Sequence, residues 1–143
     1  MRIFLDTADT EVISKYFSTG LIDGVTTNPS LIMKSGRVPD EVYKEIKEIG
    51  VPDISMEVMG NDLEMYDEGI RLFETFGSVC TVKVPCTREG LIVCKRLAEQ
   101  GINVNVTLIF SAPQAVLAAK AGATYVSPFV GRLDDQQVAG LEV

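Results

Sequence analysis

The 143-residue chain contains no histidine, which excludes a Ser-His or Cys-His nucleophile pair and any His-ligated metal. Cysteine is sparse: Cys80, Cys86 and Cys94 are odd in number and show no CxxC spacing. Neither a disulfide framework nor a zinc site is expected from them, and they read as reduced bystanders. No apolar run approaches the roughly 18 to 20 residues that cross a bilayer, and Met1-Arg2 leads straight into a strand pattern rather than a signal peptide. A cytoplasmic protein without membrane contact is the expectation. Positive charge is in deficit, with 13 Lys and Arg against 20 Asp and Glu. Nucleic acid and anionic membranes are bound by clustered cations, so neither is expected as a partner, and the acidity reads as a solubility feature. A dinucleotide fingerprint and a P-loop are also missing, since Gly20-Leu21-Ile22-Asp23-Gly24 has neither the glycine spacing nor the strand-to-helix position. Whatever chemistry the chain performs must run on Lys, Asp, Glu and hydroxyls.

Against those absences, Lys83 stands out as a lone cation in the apolar run Ser78-Val79-Cys80-Thr81-Val82-Lys83-Val84-Pro85. Side chains of a strand alternate between two faces, so Thr81 and Lys83 share one face while Val82 and Val84 take the other. Burial disfavours the charged form of an amine and moves its pKa from about 10.4 toward neutrality, which makes it nucleophilic toward carbonyl compounds. The ordinary alternative is a lysine on a sheet edge or paired with a carboxylate.

A hydrophobic fraction of 46% is ample for the core of one domain, and no composition shift or low-complexity linker divides the chain. Short β-rich runs recur at residues 3–6, 24–28, 54–58, 79–84, 103–108 and 124–129, with starts 21 to 30 residues apart. Helical patterns lie between them. Asn61 with Glu64 is a capping box that opens a helix reaching Gly77, Pro39-Asp40 opens one that stops at Gly50, Thr87 opens one closed by Gly101, and Ser111-Ala112-Pro113 opens one with Gly122 beyond its end. Strands alternating with helices imply parallel pairing through crossovers, in an open doubly wound sheet or a closed barrel.

The faces of the strands favour the barrel. Strands of a doubly wound sheet are covered on both sides and read as nearly continuous apolar runs. Here Asn103, Asn105 and Thr107 alternate with Val104, Val106 and Leu108. Ser55 and Glu57 oppose Ile54, Met56 and Val58; Thr26 and Asn28 oppose Val25; Asp6 opposes Ile3 and Leu5; Tyr125, Ser127 and Phe129 oppose Val126, Pro128 and Val130. Polar groups gathered on one face toward the C-terminal strand ends describe the interior of a TIM (β/α)8-type barrel near its active-site mouth. A TIM barrel needs eight strands and this sequence supplies about six, so residues 1–143 read as a single barrel domain that is incomplete at the C-terminus. A longer natural product is the preferred expectation, ahead of a partner that fills the gap or an inactive piece.

The segments Leu5-Asp6-Thr7-Ala8-Asp9, Gly24-Val25-Thr26-Thr27-Asn28-Pro29-Ser30, Val82-Lys83-Val84-Pro85-Cys86-Thr87, Glu89-Gly90-Leu91 and Ser127-Pro128-Phe129-Val130-Gly131-Arg132 closely resemble the transaldolase family, in particular its small branch, which also contains fructose-6-phosphate aldolases. The resemblance runs through the whole chain in order. It implies a (β/α)8 barrel whose fourth-strand lysine, matched here by Lys83, forms a Schiff base with a ketose phosphate. Glu57 and Thr107 match residues that hold a catalytic water, and Asp6 matches the carboxylate that takes the C4 hydroxyl proton. Asn28, Asn105 and Ser127 match positions that bind sugar hydroxyls, and Arg132 matches the arginine on the substrate phosphate, whose oxygens suit a guanidinium fork. Thr26, on the strand face of Asn28, and Phe129 complete the substrate-binding candidates.

By the same resemblance, small-branch aldolases carry Gln and Tyr where this chain has Glu57 and Phe129, whereas transaldolases carry Glu and Phe. The implied reaction is transfer of a dihydroxyacetone unit between ketose phosphate and aldose phosphate, with no cofactor and no metal. Alternatives are reversible cleavage of fructose 6-phosphate and an inactive truncated barrel fragment. The serine and basic residue that family members use for phosphate after the seventh strand do not occur in the sequence. Homo-oligomers, pentamers or decamers in the full-length form, are the implied assembly.

Overall fold

The computed structural model describes residues 1–135 and 140–142, without the side chains of residues 132–134 and 142. Six strands are present: β1 (Phe4–Asp6), β2 (Gly24–Thr26), β3 (Ile54–Glu57), β4 (Cys80–Pro85), β5 (Val104–Ile109) and β6 (Tyr125–Pro128). The helices are α1 (Thr10–Phe17), α2 (Pro29–Ser35), α3 (Pro39–Ile49), α4 (Asp62–Phe76), α5 (Arg88–Ala98), α6 (Ala112–Ala121) and α7 (Val130–Asp135). Strand order in the sheet is β1-β2-β3-β4-β5-β6, and each described pairing is parallel. A doubly wound sheet reverses its strand order at a switch point. Strictly sequential order with a helix after every strand is instead that of a TIM barrel, here over six of its eight β/α units.

The chain forms two compact units, Met1–Glu57 with Arg71–Thr81, and Val58–Ile70 with Val82–Val143. In the first, Leu5 pairs with Val25 and Val25 with Ile54, so that Asp6, Thr26 and Ser55 fall in adjacent register positions. Helix α1 starts where Asp9 Oδ1 accepts from the N–H groups of Glu11 and Val12, at 3.0 and 3.1 Å. Behind the strands Ile13, Val25, Val42, Ile46 and Ile54 are all fully buried, and the rings of Tyr43 and Phe76 meet edge to face at 5.8 Å. Gly24 is required by close approach: a Cβ there would collide with the ring of Phe4 and with Asp53 O.

In the second unit β5 lies between β4 and β6. Lys83 pairs with Asn105, Pro85 with Thr107, Asn105 with Tyr125 and Thr107 with Ser127. Val82, Val84, Val104 and Val106 project to the opposite face and are fully buried with Val93, Cys94 and Leu97 of α5. On β6 that same outer face is open, with Val126 and Pro128 exposed. The register slips by one between Thr107 and Ile109, at Leu108, whose φ is 60°.

The helix starts expected from the sequence are present. The Asn61–Glu64 box is closed by bonds of 2.8 and 3.0 Å, and Thr87 Oγ1 accepts from Gly90 N at 3.1 Å. Helix α2 is an addition to the expected pattern. It is a seven-residue turn with Pro29 at its start and Gly36 left-handed at its end, short enough that no full apolar period marks it.

Candidate active site

Lys83 is 4% exposed in the middle of β4. In a parallel pair, register partners project to the same face, so Lys83 lies beside Asn105, itself 2% exposed, with Tyr125 as the next neighbour in the row. One step toward the C-terminal strand ends the row is Pro85, Thr107 and Ser127. Ser127 Oγ donates to Asn105 Oδ1 at 2.8 Å, which fixes the orientation of the buried amide. Thr107 is 1% exposed, and its Oγ1 has no hydrogen-bond partner among the described residues. A buried hydroxyl in that condition is costly and marks a place where a water or ligand atom is expected. Phe129 follows β6 and packs its ring on Phe110 at 5.7 Å.

The strand ends of the first unit carry a second polar set. Thr26 Oγ1 donates to Asp6 Oδ1 at 3.0 Å, which ties the exposed aspartate to its register neighbour. Ser55, in register with Thr26, is fully buried, and Glu57 is half-buried at the end of β3. Asn28 has a double position: it follows the β2 strand expected to present it, and its Oδ1 accepts from Leu31 N at 2.9 Å as the N-cap of α2. The opposite face of β2 holds Thr27, whose hydroxyl donates to Ser55 O at 3.0 Å and is hydrogen-bonded by Tyr43. Burial, above all, pushes the Tyr43 phenol up to about 12, with the negative charge of Glu57 acting in the same direction.

Asp6 and Thr26 are thus brought together in the first unit, where Glu57 ends a neighbouring strand, while Lys83, Asn105, Thr107 and Ser127 form adjacent rows in the second. The side chain of Arg132 lies outside the described residues, although its backbone belongs to α7. Two contributors were not anticipated. Thr27 carries the Tyr43 phenol, and its only signal was the doubled threonine ahead of Asn28; the bulge at Leu108 has no signal at all, because glycine is absent there. A cleft of about 460 Å³ near the start of α1, lined by Thr10, Lys34 and Arg37 among others, is a separate feature. Its Arg37 is taken up by Thr10 and by a 2.6 Å ion pair with Glu45. Among the described residues no group of three or more His, Cys, Asp or Glu is placed to hold a metal ion, and no helix is long and apolar enough to cross a membrane.

Comparison with known proteins identifies the family. A family model described as Transaldolase/Fructose-6-phosphate aldolase matches residues 3–142. A probable transaldolase of Hyphomonas neptunium is 56% identical over 100% of this chain and 66% of its own length. A probable transaldolase of Nitrosopumilus maritimus is 54% identical over 94% of this chain and 61% of its own length. The chain therefore spans just under two thirds of the length of these relatives. Among solved structures, the carboxyl transferase domain from Rhizobium etli pyruvate carboxylase, determined with oxamate and biotin, aligns with a TM-score of 0.58 at 15% identity, covering 90% of this chain and 27% of that one. That likeness is one of fold alone. With a family match over nearly every residue and relatives more than half identical, the chain belongs to the transaldolase/fructose-6-phosphate aldolase family.

Proposed function

We propose that the protein acts as a transaldolase, moving a dihydroxyacetone unit from fructose 6-phosphate or sedoheptulose 7-phosphate to an aldose phosphate through a Schiff base on Lys83. The observation that carries this reading is the amine of Lys83, 4% exposed on the polar face of β4 with Asn105 as its register partner and, one row on, the Thr107 hydroxyl that has no partner among the described residues. Its neutral form adds to the C2 carbonyl, and the carbinolamine loses water to give a protonated imine. Asp6 accepts the C4 hydroxyl proton as the C3–C4 bond breaks, the aldose phosphate leaves, and the bonding electrons pass into the imine to give an enamine. Addition of the enamine to an acceptor aldose, followed by water, returns the free amine and a new ketose. Glu57 and Thr107 hold the water that carries protons in the imine steps. Thr26, Asn28, Asn105 and Ser127 bind the sugar hydroxyls, and Arg132 binds the phosphate.

Reversible cleavage of fructose 6-phosphate is the second reading, and Phe129 weighs against it. Its ring packs on Phe110 and offers no hydroxyl to protonate the enamine, so the intermediate waits for an aldose. In this reading residues 1–143 belong to one barrel domain of a cytoplasmic homo-oligomer, a pentamer or decamer, whose partners are sugar phosphates and not nucleic acid. The test is borohydride reduction of the protein with fructose 6-phosphate, followed by peptide mass analysis. The expected result is a reduced adduct on Lys83 and loss of transfer in a folded Lys83→Ala variant. An adduct at another lysine, or transfer retained without Lys83, overturns the reading.

A further inference from the structure

The register slip in β5 separates two residues that regular alternation would place on one face. Asn105, Thr107 and Ile109 have the same parity, so an unbroken strand would put the Ile109 side chain directly beyond Thr107 on the Lys83 face. In the structure Thr107 pairs with Ser127 but Ile109 pairs with Pro128, a residue of the opposite face from Ser127. By that register Ile109 belongs with Pro128 and not with Ser127, and it is fully buried. The residue that makes this possible is Leu108, with φ 60° the only non-glycine residue in the left-handed region among those described. Such a conformation persists in a leucine only where the surroundings over-determine it. Both flanks are pinned here: Cys86 N donates to Thr107 O at 2.8 Å on the β4 side, and Phe129 N donates to Ile109 O at 3.0 Å on the β6 side. Independently of the backbone, Thr107 Oγ1 is buried with no partner among the described residues.

We infer that Leu108 is a positioning residue: its left-handed bulge removes the Ile109 side chain from the Lys83 face and keeps the Thr107 hydroxyl open to a substrate-side hydrogen bond. The inference deepens the reading of that face as the ketose site and rests on it for its functional half. A bulge beside an active site that re-aims one side chain is a recurrent use of this distortion. Here it would act by clearing space, since an isoleucine beyond Thr107 would occupy the Lys83 face next to the Thr107 hydroxyl.

Three substitutions at one position test it. Leu108→Gly and Leu108→Ala both lack the side chain, so the difference between them reads the backbone. At a left-handed residue the glycine variant melts higher, by roughly 2–4 °C; in a regular strand the alanine variant does. Leu108→Val raises the penalty on positive φ and is expected to slow borohydride trapping of Lys83 with fructose 6-phosphate by roughly tenfold or more, while Leu108→Gly traps at the parent rate. The methyl NMR resonances of Ile109 are expected to hold in Leu108→Gly and move in Leu108→Val. An alanine variant more stable than the glycine one, moved Ile109 resonances in Leu108→Gly, or equal trapping by the valine variant and the parent each overturns the inference. If Leu108→Val does not fold, the first two outcomes still decide. Failure of the parent to be trapped at Lys83 would instead remove the ketose reading, and the melting order and Ile109 resonances would go on testing the bulge.

Discussion

Ser127 and Asn105 are joined across β5 and β6 by a 2.8 Å hydrogen bond from the serine hydroxyl to the amide oxygen. Asn105 is 2% exposed and is the register partner of Lys83. The serine thus decides which end of a buried amide is turned toward β6, although it sits two strands away from the lysine.

Replacing Ser127 with alanine leaves Asn105 Oδ1 buried without that donor, a loss of about 1–3 kcal/mol. The expected result is a lower urea midpoint with an unchanged m-value, together with a raised KM for the ketose. The double variant Ser127→Ala/Asn105→Ala should be less destabilised than the sum of the single changes, because the two groups act as a pair. Strict additivity in that cycle would show that the bond contributes nothing.

Gly90 makes a different kind of demand. A Cβ at this position in the first turn of α5 would collide with the carbonyl oxygen of Pro85, two residues beyond Lys83. Backbone cannot yield as a flexible side chain can, so Gly90→Ala must push α5 away from the end of β4. We expect about 1–3 kcal/mol of destabilisation and slower trapping at Lys83. A Gly90→Ala protein as stable as the parent would mean that the helix shifts freely.

Much of this architecture was legible because its signals are local. Capping residues sit at fixed offsets, as at Asn61 with Glu64 and at Thr87, and strand alternation announced the shared face of Lys83 and Asn105, which the register places side by side. Other features depend on contacts that parity cannot express. Asn28 follows its strand and also caps α2, since one side chain can serve two neighbours. The β5 pattern in the sequence ends at Leu108, yet the strand continues to Ile109 through a bulge held by β4 and β6. Nothing in a leucine between a threonine and an isoleucine announces that slip. The outer face of β6 is exposed at Val126 and Pro128, which alternation alone cannot foresee because it marks a polarity and not its cover.

The three thiols should differ in reactivity. Burial pushes Cys80 up to about 12 and Cys94 up to about 11, and it raises Cys86 as well. Cys80 and Cys94 are buried, while Cys86 is half-exposed after the end of β4. The thiolate is the reacting form, so native alkylation should be slow at neutral pH, faster in alkali, and confined to Cys86. Peptide mapping after limited iodoacetamide treatment reads this directly, and early labelling of Cys80 or Cys94 in folded protein would contradict it.

Alkaline stability follows from the same burial. Tyr43 is raised from 10.0 to about 12 and Cys80 from 9.0 to about 12, each mainly by burial. Both groups stay protonated in the folded chain at a pH where the unfolded chain has begun to release its protons. Because the folded state then binds more protons, unfolding is favoured as pH rises. The stability these groups permit is fully present below about pH 9 and declines from there to about pH 12. Tyr43→Phe gives up the hydrogen bond to Thr27 and should start about 1 kcal/mol lower at neutral pH, yet fall less steeply above pH 10. Cys80→Ala should flatten the decline from pH 9. Urea midpoints measured between pH 7 and pH 11 distinguish the cases: parent and variant curves that stay parallel through that range would locate the alkaline weakness in other groups.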